Sequence, residues 1–189
     1  LTAFLEDPEV ARGIRRCPAG KTLHHAYLGG LLEHILSLIG AVKSIAQNYP
    51  QLDGDILVAA AVLHDIGKTR ELDYSRSFSY TDEGQLVGHL AIALAMVAQK
   101  APSIPTLSRE RRLHLEHIIA SHHGLPEHGA IKAPMTAEAI AFHFLDNLDA
   151  KMAMLADMRK ELEDAPAAAG KGLWTEYKPG LGHKIWFER

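Results

Sequence analysis

The chain has 189 residues, a hydrophobic content of 47% and a formal net charge of −3, which together predict one soluble globular domain. That charge excludes the strongly basic balance by which composition alone would indicate nucleic-acid binding. A single cysteine, Cys17, excludes an internal disulfide framework and fits a reducing compartment, so we expect a cytoplasmic protein. No signal peptide and no run of about 18 apolar residues is present, so we expect no membrane span.

The first half of the chain predicts helices separated by short loops. Residues 3–12 favour a short helix or turn, and the Pro/Gly-rich stretch 15–22 favours a loop. Apolar residues then recur at intervals of three and four over residues 23–49, which predicts one long amphipathic helix ending before Pro50.

The middle of the chain contains the most apolar segments. Residues 53–66 are apolar nearly all round after a possible N-cap at Asp53, so they predict a central, buried helix. Residues 71–84, with the sequence ELDYSRSFSYTDEG, predict an irregular loop or short hairpin. Residues 86–101 predict another apolar helix that packs either in the core or in a subunit interface, which leaves a homo-oligomer open.

The last part of the chain predicts two further helices and a tail. One helix begins after a Ser108 cap and ends at Gly124, and another runs from a Thr136 cap to about Glu163. The aromatic sequence LWTEYKPGLGHKIWFER at the C-terminus predicts an extended tail across the surface. The pattern therefore predicts an all-α bundle of five to seven helices, with a short irregular or hairpin insertion and an extended C-terminal tail.

Twelve histidines, more than core packing requires, draw attention to polar side chains at helix ends and on apolar faces. These polar residues, spread over separate predicted helices, are His34, His64, Asp65, His89, His122, His123 and Asp146. A single histidine of this kind is more often a hydrogen-bonded core residue than a ligand. The adjacent pair His64-Asp65 in a buried helix is harder to explain that way, because burying an unpaired carboxylate is costly. Imidazole and carboxylate suit divalent transition metals, so the whole set predicts a metal centre.

The order of these residues resembles the HD-domain superfamily of metal-dependent phosphohydrolases. The stretches GGLLEHILSL, AAVLHDIGKTREL, GQLVGHLAIA and SHHGLPEHGAIKAPMTAEAIAFHFLDNLDAKM are similar, more narrowly, to the YhaM-type 3′→5′ exoribonucleases. The resemblance covers roughly residues 17–160. It implies an N-terminal lead-in at 1–22, an HD domain at 23–163 and an extended tail at 164–189.

The resemblance also implies a ligand set. His34, His64, Asp65 and Asp146 would hold a first ion, and Asp65 would reach a second ion held by His89, His122 and His123. The expected cofactors are two divalent ions, Mn, Fe, Co or Ni, with Zn or Mg as alternatives. YhaM-type enzymes carry an N-terminal OB-fold for RNA, and we expect the present chain, which begins at Leu1, to be a fragment without that domain.

Five residues are candidates for acting on substrate around the ions. Asp65 and Lys68 are the expected catalytic residues, with Lys68 stabilising charge that develops on the phosphorus oxygens. The alternative for Lys68 is a solvated lysine at a helix end. His25, His128 and Arg70 are candidates for binding substrate phosphate, although each also fits a structural role in a loop or packed flap.

Three functions fit the sequence to different degrees. The leading hypothesis is a phosphodiesterase that degrades single-stranded RNA, or DNA, from its 3′ end with a metal-activated water. A nucleotide phosphomonoesterase would need the same ions and the same water. A helical scaffold of the HDOD kind would keep the fold and lose the ligands, and all the ligands are present here.

Overall fold

The polypeptide is built almost entirely from helices, as predicted. The computed structural model describes residues 1–20, 27–74, 78–164 and 173–188. The elements of its first half are α1 (Thr2–Leu5), α2 (Pro8–Arg16), α3 (Gly30–Asn48), α4 (Gly54–Leu63) and α5 (Lys68–Glu71). Among the described residues, no helix is both long enough and apolar enough to span a membrane.

The second half adds the remaining helices and two small hairpins. These elements are β1 (Leu72–Asp73), β2 (Ser79–Tyr80), α6 (Asp82–Val87), α7 (His89–Lys100), α8 (Arg109–Ser121), α9 (Ala137–Asp164), β3 (Leu173–Trp174) and β4 (Trp186–Phe187). Strands β1 and β2 pair antiparallel, which confirms the hairpin predicted within residues 71–84. Strands β3 and β4 also pair antiparallel, so the described part of the predicted tail is a hairpin.

Helix α4 is the central element of the bundle. It packs against α3, α8 and α9, and α7 packs against α8. The side chains of Leu57, Ala60 and Ala61 are fully buried, which confirms the prediction made from the all-round apolar sequence of this segment. Asp53 caps the helix by accepting hydrogen bonds from the backbone N–H groups of Asp55 and Ile56. The caps predicted at Ser108 and Thr136 also form.

Two predicted helix boundaries are wrong, and glycine explains both. Of the predicted helix 23–49, residues 23–26 lie outside the described residues, and α3 begins after Gly29, because its φ of 88° cannot belong to a right-handed helix. The predicted helix 86–101 is divided at Gly88, which has φ of 79° and separates α6 from α7. The break puts His89 at the first position of α7 instead of inside a longer helix.

Because Gly67 has no side chain, α5 can approach the start of α7 more closely than it could with any other residue type at position 67. A Cβ atom at position 67 would lie 2.0 Å from the carbonyl oxygen of His89. Gly40, on the exposed side of α3, has no described atom within 4 Å of its hypothetical Cβ apart from its chain neighbours and the adjacent backbone of its own helix. The two glycines therefore differ in their steric surroundings, so the same substitution to alanine at each position can be compared.

We expect Gly67→Ala to lower the free energy of unfolding by about 1–3 kcal/mol, because the added methyl group must displace backbone. Gly40→Ala should raise it by about 0.5–1 kcal/mol, since alanine favours the helix. Urea denaturation followed by circular dichroism measures both changes. Equal changes of the same sign in the two variants would contradict the close approach of α5 and α7.

Candidate metal centre

A cleft of about 390 Å³ opens where α3, α8, α9 and the end of α4 meet. The residues that line it include His34, Asp65, Lys68, His122, His123, His128, His143, Asp146, Asn147, Lys151 and Gly180. The fold thus brings residues that lie far apart in the sequence to one place. Each predicted metal ligand falls in the first or last turn of a helix, or on a face directed into this cleft.

The first group of ligand atoms consists of His34, His64 and Asp146. The Nε2 atoms of His34 and His64 lie 3.3 Å apart. Oδ1 of Asp146 lies 3.1 Å from Nε2 of His34 and 3.7 Å from Nε2 of His64. Ligand bonds of about 2.0–2.2 Å to one ion produce separations of this size between the donor atoms, so the three residues can hold one metal.

The second group of ligand atoms consists of His89, His122 and His123, and Asp65 lies between the two groups. Oδ2 of Asp65 lies 3.3 Å from Nε2 of His64. Its Oδ1 lies 3.5 Å from Nε2 of His89 and 3.8 Å from Nε2 of His122. One carboxylate therefore presents one oxygen to each group, which is the position of a ligand that bridges two ions.

Carboxylates orient two of the histidines from behind. Nδ1 of His34 lies 2.6 Å from Oδ2 of Asp149, and Nδ1 of His89 lies 3.0 Å from Oε1 of Glu71. The backbone N–H of His89 also donates to Oε1 of Glu71, at 3.0 Å. A carboxylate that accepts from one ring nitrogen fixes the ring and leaves the other nitrogen, Nε2, directed toward a metal.

Backbone carbonyl groups orient the other two buried histidines. Nδ1 of His64 lies 3.2 Å from the carbonyl oxygens of both Ala60 and Ala61. Nδ1 of His122 lies 2.9 Å from the carbonyl oxygen of Ile119. Both histidines follow the last residue of their helix, where the final carbonyl groups of the helix still accept hydrogen bonds. The helix ends thus hold the tautomer that presents Nε2 to the cleft.

Three buried polar atoms of this cluster have no hydrogen-bond partner among the described residues. They are Oδ1 of Asp65, Nε2 of His89 and Nδ1 of His123. Leaving such atoms without a partner costs about 1–3 kcal/mol each, so native proteins seldom do it. All three belong to residues of the second group or to the carboxylate that joins the groups. A divalent ion would satisfy them, so the donor set fits the metal centre that the sequence predicts.

The histidines of the cluster differ in protonation, because the pKa of His34 is raised and the pKa values of His122 and His123 are lowered. Burial works against protonation of His34, but hydrogen bonds to Asp146 and Asp149 outweigh it and raise the pKa of His34 to about 9. Burial lowers the pKa of His122 well below its ordinary value, and it lowers the pKa of His123 as well. These two imidazoles are therefore neutral at neutral pH, which is the form that binds metal.

Lys68 is a buried partner of Asp65 and not a solvated lysine. Its Nζ donates to Oδ2 of Asp65 and to the carbonyl oxygen of Ala19, each at 2.6 Å. Burial would raise the pKa of Asp65, yet the ammonium of Lys68 and the neighbouring His64 hold that pKa well below its ordinary value. Lys68 therefore keeps Asp65 ionised and also lines the cleft.

The residues predicted to bind substrate divide into three cases. His128 lines the cleft and is exposed at its mouth. Arg70 is not brought there: its guanidinium pairs with Glu83 at 2.9 Å, and it lines a separate cavity of about 910 Å³ on the other side of α5. His25 lies outside the described residues.

The sequence did not predict several residues that are not candidate ligands but contact the candidate ligands or line the cleft. Asp149 and Glu71 orient ligand histidines, and Lys151 and Gly180 line the cleft. The spacing of Asp149, three residues after Asp146 on one helix face, was a usable signal. Glu71 and Gly180 gave no such signal, because only the folded chain brings them to the site.

We expect Glu71→Gln and Asp149→Asn each to weaken metal binding by about 10–100-fold, because a neutral amide orients and polarises the ligand histidine less well. Equilibrium dialysis against Mn²⁺ measures the affinity of each variant. Glu83→Gln, which removes the exposed partner of Arg70, is the control and should bind metal as the parent does. Unchanged affinity in both variants would remove the role assigned to the two carboxylates.

Metal binding should release a proton from His34. Its pKa of about 9 keeps it protonated at neutral pH, whereas a metal ligand must lose the proton from Nε2. The affinity for Mn²⁺ should therefore rise with pH and level off above about pH 9. Calorimetric titration in two buffers of different ionisation enthalpy counts the protons released. Binding with no proton release near pH 7 would contradict this assignment of His34.

Comparison with known proteins agrees with this geometry. The sequence model of the HD domain family matches residues 31–151. The chain is 44% identical over 138 residues to the 3′-5′ exoribonucleases YhaM of Bacillus licheniformis and Bacillus subtilis, and 43% identical to that of Bacillus pumilus. Each alignment covers 73% of this chain but only 44% of the relative, so the chain spans less than half the length of these proteins. No solved structure matches the chain.

The family match spans most of the chain and includes α3 to α9 up to Lys151. All seven predicted metal ligands lie within it, in the order that the resemblance implied. On this evidence, the chain belongs to the HD domain family.

Proposed function

We propose that this chain is a metal-dependent phosphodiesterase that removes nucleotides from the 3′ end of single-stranded RNA. The observation that carries the proposal is Asp65, which presents one oxygen to each of two groups of histidine and carboxylate donors. A pair of ions is the arrangement used by many enzymes that hydrolyse phosphate esters. The relatives named 3′-5′ exoribonuclease YhaM support RNA as the substrate.

The two ions would be held by the residues that the sequence predicts. His34, His64, Asp65 and Asp146 would hold the first, and Asp65, His89, His122 and His123 the second. This mixture of imidazole and carboxylate favours Mn, Fe, Co or Ni, with Zn or Mg as alternatives. When bound, such ions polarise phosphoryl oxygens and lower the pKa of a coordinated water, which supplies the nucleophile.

The remaining residues of the cleft would act on the substrate strand. Lys68 donates two of its three N–H groups to Asp65 and Ala19, and the third is left to attract negative charge that develops on the phosphate. His128 and Lys151 lie at the cleft and are exposed, so they can meet phosphates further along the strand. His25 remains a candidate for the same role.

The full-length protein is part of the proposal, because this chain spans 44% of the length of its relatives. We infer that an additional RNA-binding domain, such as an OB-fold, cooperates with the HD domain. Association of identical subunits also remains a prediction. Helix α7, considered above as an interface, buries Leu90, Ile92 and Val97 within the subunit itself, so its apolar face is already used.

A nucleotide phosphomonoesterase is the second candidate. The cleft of about 390 Å³ is within the size range of pockets that enclose a single small ligand. The two candidates differ in the group that leaves the phosphorus atom: the 3′-oxygen of the shortened strand for the exoribonuclease, and the hydroxyl oxygen of a free nucleoside for the phosphomonoesterase. The products of the reaction therefore separate them.

The test is digestion of 5′-end-labelled single-stranded RNA in the presence of Mn²⁺. We expect a ladder that shortens by one nucleotide at a time from the 3′ end and releases nucleoside monophosphates. Asp65→Asn, which keeps the size of the side chain and removes its charge, should reduce the rate by more than about a hundredfold, because it weakens both metal sites. Gel electrophoresis and chromatography of the products measure both effects.

Glu83→Gln is the control and should cleave RNA at the parent rate. Release of inorganic phosphate from mononucleotides without shortening of RNA would replace the exoribonuclease by the phosphomonoesterase. Hydrolysis of neither substrate by the metal-loaded chain would contradict a hydrolytic function for this chain.

A further inference from the structure

The C-terminal hairpin stands at the mouth of the metal cleft. Strands β3 and β4 pair with Leu173 opposite Phe187 and Trp174 opposite Trp186. The turn of the hairpin carries Gly180, which is one of the residues lining the cleft. This hairpin lies outside residues 31–151, the part matched by the HD domain family. The hairpin thus lies outside the matched segment and reaches the proposed active site.

One face of the hairpin packs on the protein and the other is exposed. Thr175 on the inner face is 3% exposed, and it ties the strands together through hydrogen bonds with Ile185 in both directions. On the outer face Trp174 is 60% exposed and Trp186 is 51% exposed. Within the described part of the chain, neither indole ring stacks on another aromatic ring. Two large aromatic side chains thus lie side by side on this face, each more than half exposed.

Lysine and histidine side chains lie between this face and the cleft. Lys178 and His183 form the bridge that closes the turn, and Lys151 and His128 follow on the cleft wall. The outer face itself carries two acidic residues, Glu176 and Glu188, and the carboxylate of Glu176 lies 3.6 Å from Nζ of Lys184. Cationic side chains beside exposed aromatic rings are the combination by which proteins bind single-stranded nucleic acid.

We propose that the outer face of this hairpin is a stacking surface for single-stranded nucleic acid, with Trp174 and Trp186 each stacking on one base. The strand would then pass the turn at Gly180 and enter the metal cleft with its 3′ end. This inference rests on the proposed function, because only a polynucleotide substrate spans both surfaces. A protein partner or a second copy of the chain fits less well, since the rings adjoin cationic residues that continue into the cleft.

The experiment uses the fact that Trp174 and Trp186 are the only tryptophans in the chain. The intrinsic indole fluorescence of the whole chain therefore reports on this hairpin alone. The chain is titrated with oligouridylate of about twelve nucleotides in EDTA, so that binding is measured without catalysis. We expect quenching by the single strand and much weaker quenching by a duplex of the same length, because paired bases cannot stack on the indole rings.

Variants locate the contact through the anisotropy of a labelled oligonucleotide. The double variant Trp174→Ala/Trp186→Ala removes two stacking rings and should bind at least about 30-fold more weakly, whereas Trp174→Phe/Trp186→Phe should retain most of the affinity because an aromatic face remains. Tyr49→Ala removes an aromatic side chain of similar exposure at the end of α3 and should have no effect. Circular dichroism confirms that each variant is folded.

The outcomes distinguish this inference from the proposed function. RNA cleavage by the parent chain without quenching, or equal affinity in the alanine and parent chains, would overturn the stacking surface and leave the exoribonuclease intact. Quenching without cleavage would support the surface and reject the exoribonuclease. A dimer that the alanine variant abolishes, with no effect of oligouridylate, would assign the face to a second copy and overturn the inference.

Discussion

The structure depends on the carboxylate of Asp65, which is buried in the protein interior, where carboxylates are seldom found. Asp65 is 3% exposed, at the end of the most deeply buried helix, and an ionised group in that position is costly unless other charges or ligands compensate. Lys68 supplies one compensating charge, bound at 2.6 Å to Oδ2. Oδ1 has only histidine nitrogens at 3.5–3.8 Å, which is beyond hydrogen-bonding distance. We propose that a divalent ion is the partner that would complete the environment of Asp65.

The helices are arranged so that histidine nitrogen atoms lie around the carboxylate of Asp65. Helices α4 and α8 end beside it and contribute histidines from their last turns, while α7 begins beside it and contributes His89. Gly88 and Gly67 make this last contact feasible, one by breaking the chain before His89 and the other by removing the side chain that would block it. These two glycines therefore allow His89 to reach the cluster of candidate ligands.

Much of the fold and of the candidate site could be predicted from the sequence. A buried apolar helix seldom ends in a polar pair such as His64-Asp65, so the pair indicates a functional site. The central helix, the caps at Ser108 and Thr136 and the loop or hairpin after α5 follow from periodicity and residue chemistry, and the seven candidate ligands follow from residue chemistry together with the resemblance. The helix starts at Gly30 and His89 were missed, because the apolar pattern continues through glycines whose positive φ only the fold requires. The roles of Glu71 and Gly180 depend on long-range packing, and no local pattern encodes them. For Arg70 the prediction was wrong. Its position near Asp65 in the sequence suggested a place at the cleft, but its side chain pairs with Glu83 instead.

The central claim is that Asp65 joins two metal ions, and electron paramagnetic resonance of the chain loaded with two equivalents of Mn²⁺ tests it most directly. Two ions that share one carboxylate interact magnetically, so we predict the spectrum of an exchange-coupled pair. In Asp65→Asn, with the bridging charge removed, that spectrum should be replaced by the six-line signal of isolated Mn²⁺. A six-line signal alone from the parent chain at full loading would contradict the account, because its ions would then not share Asp65.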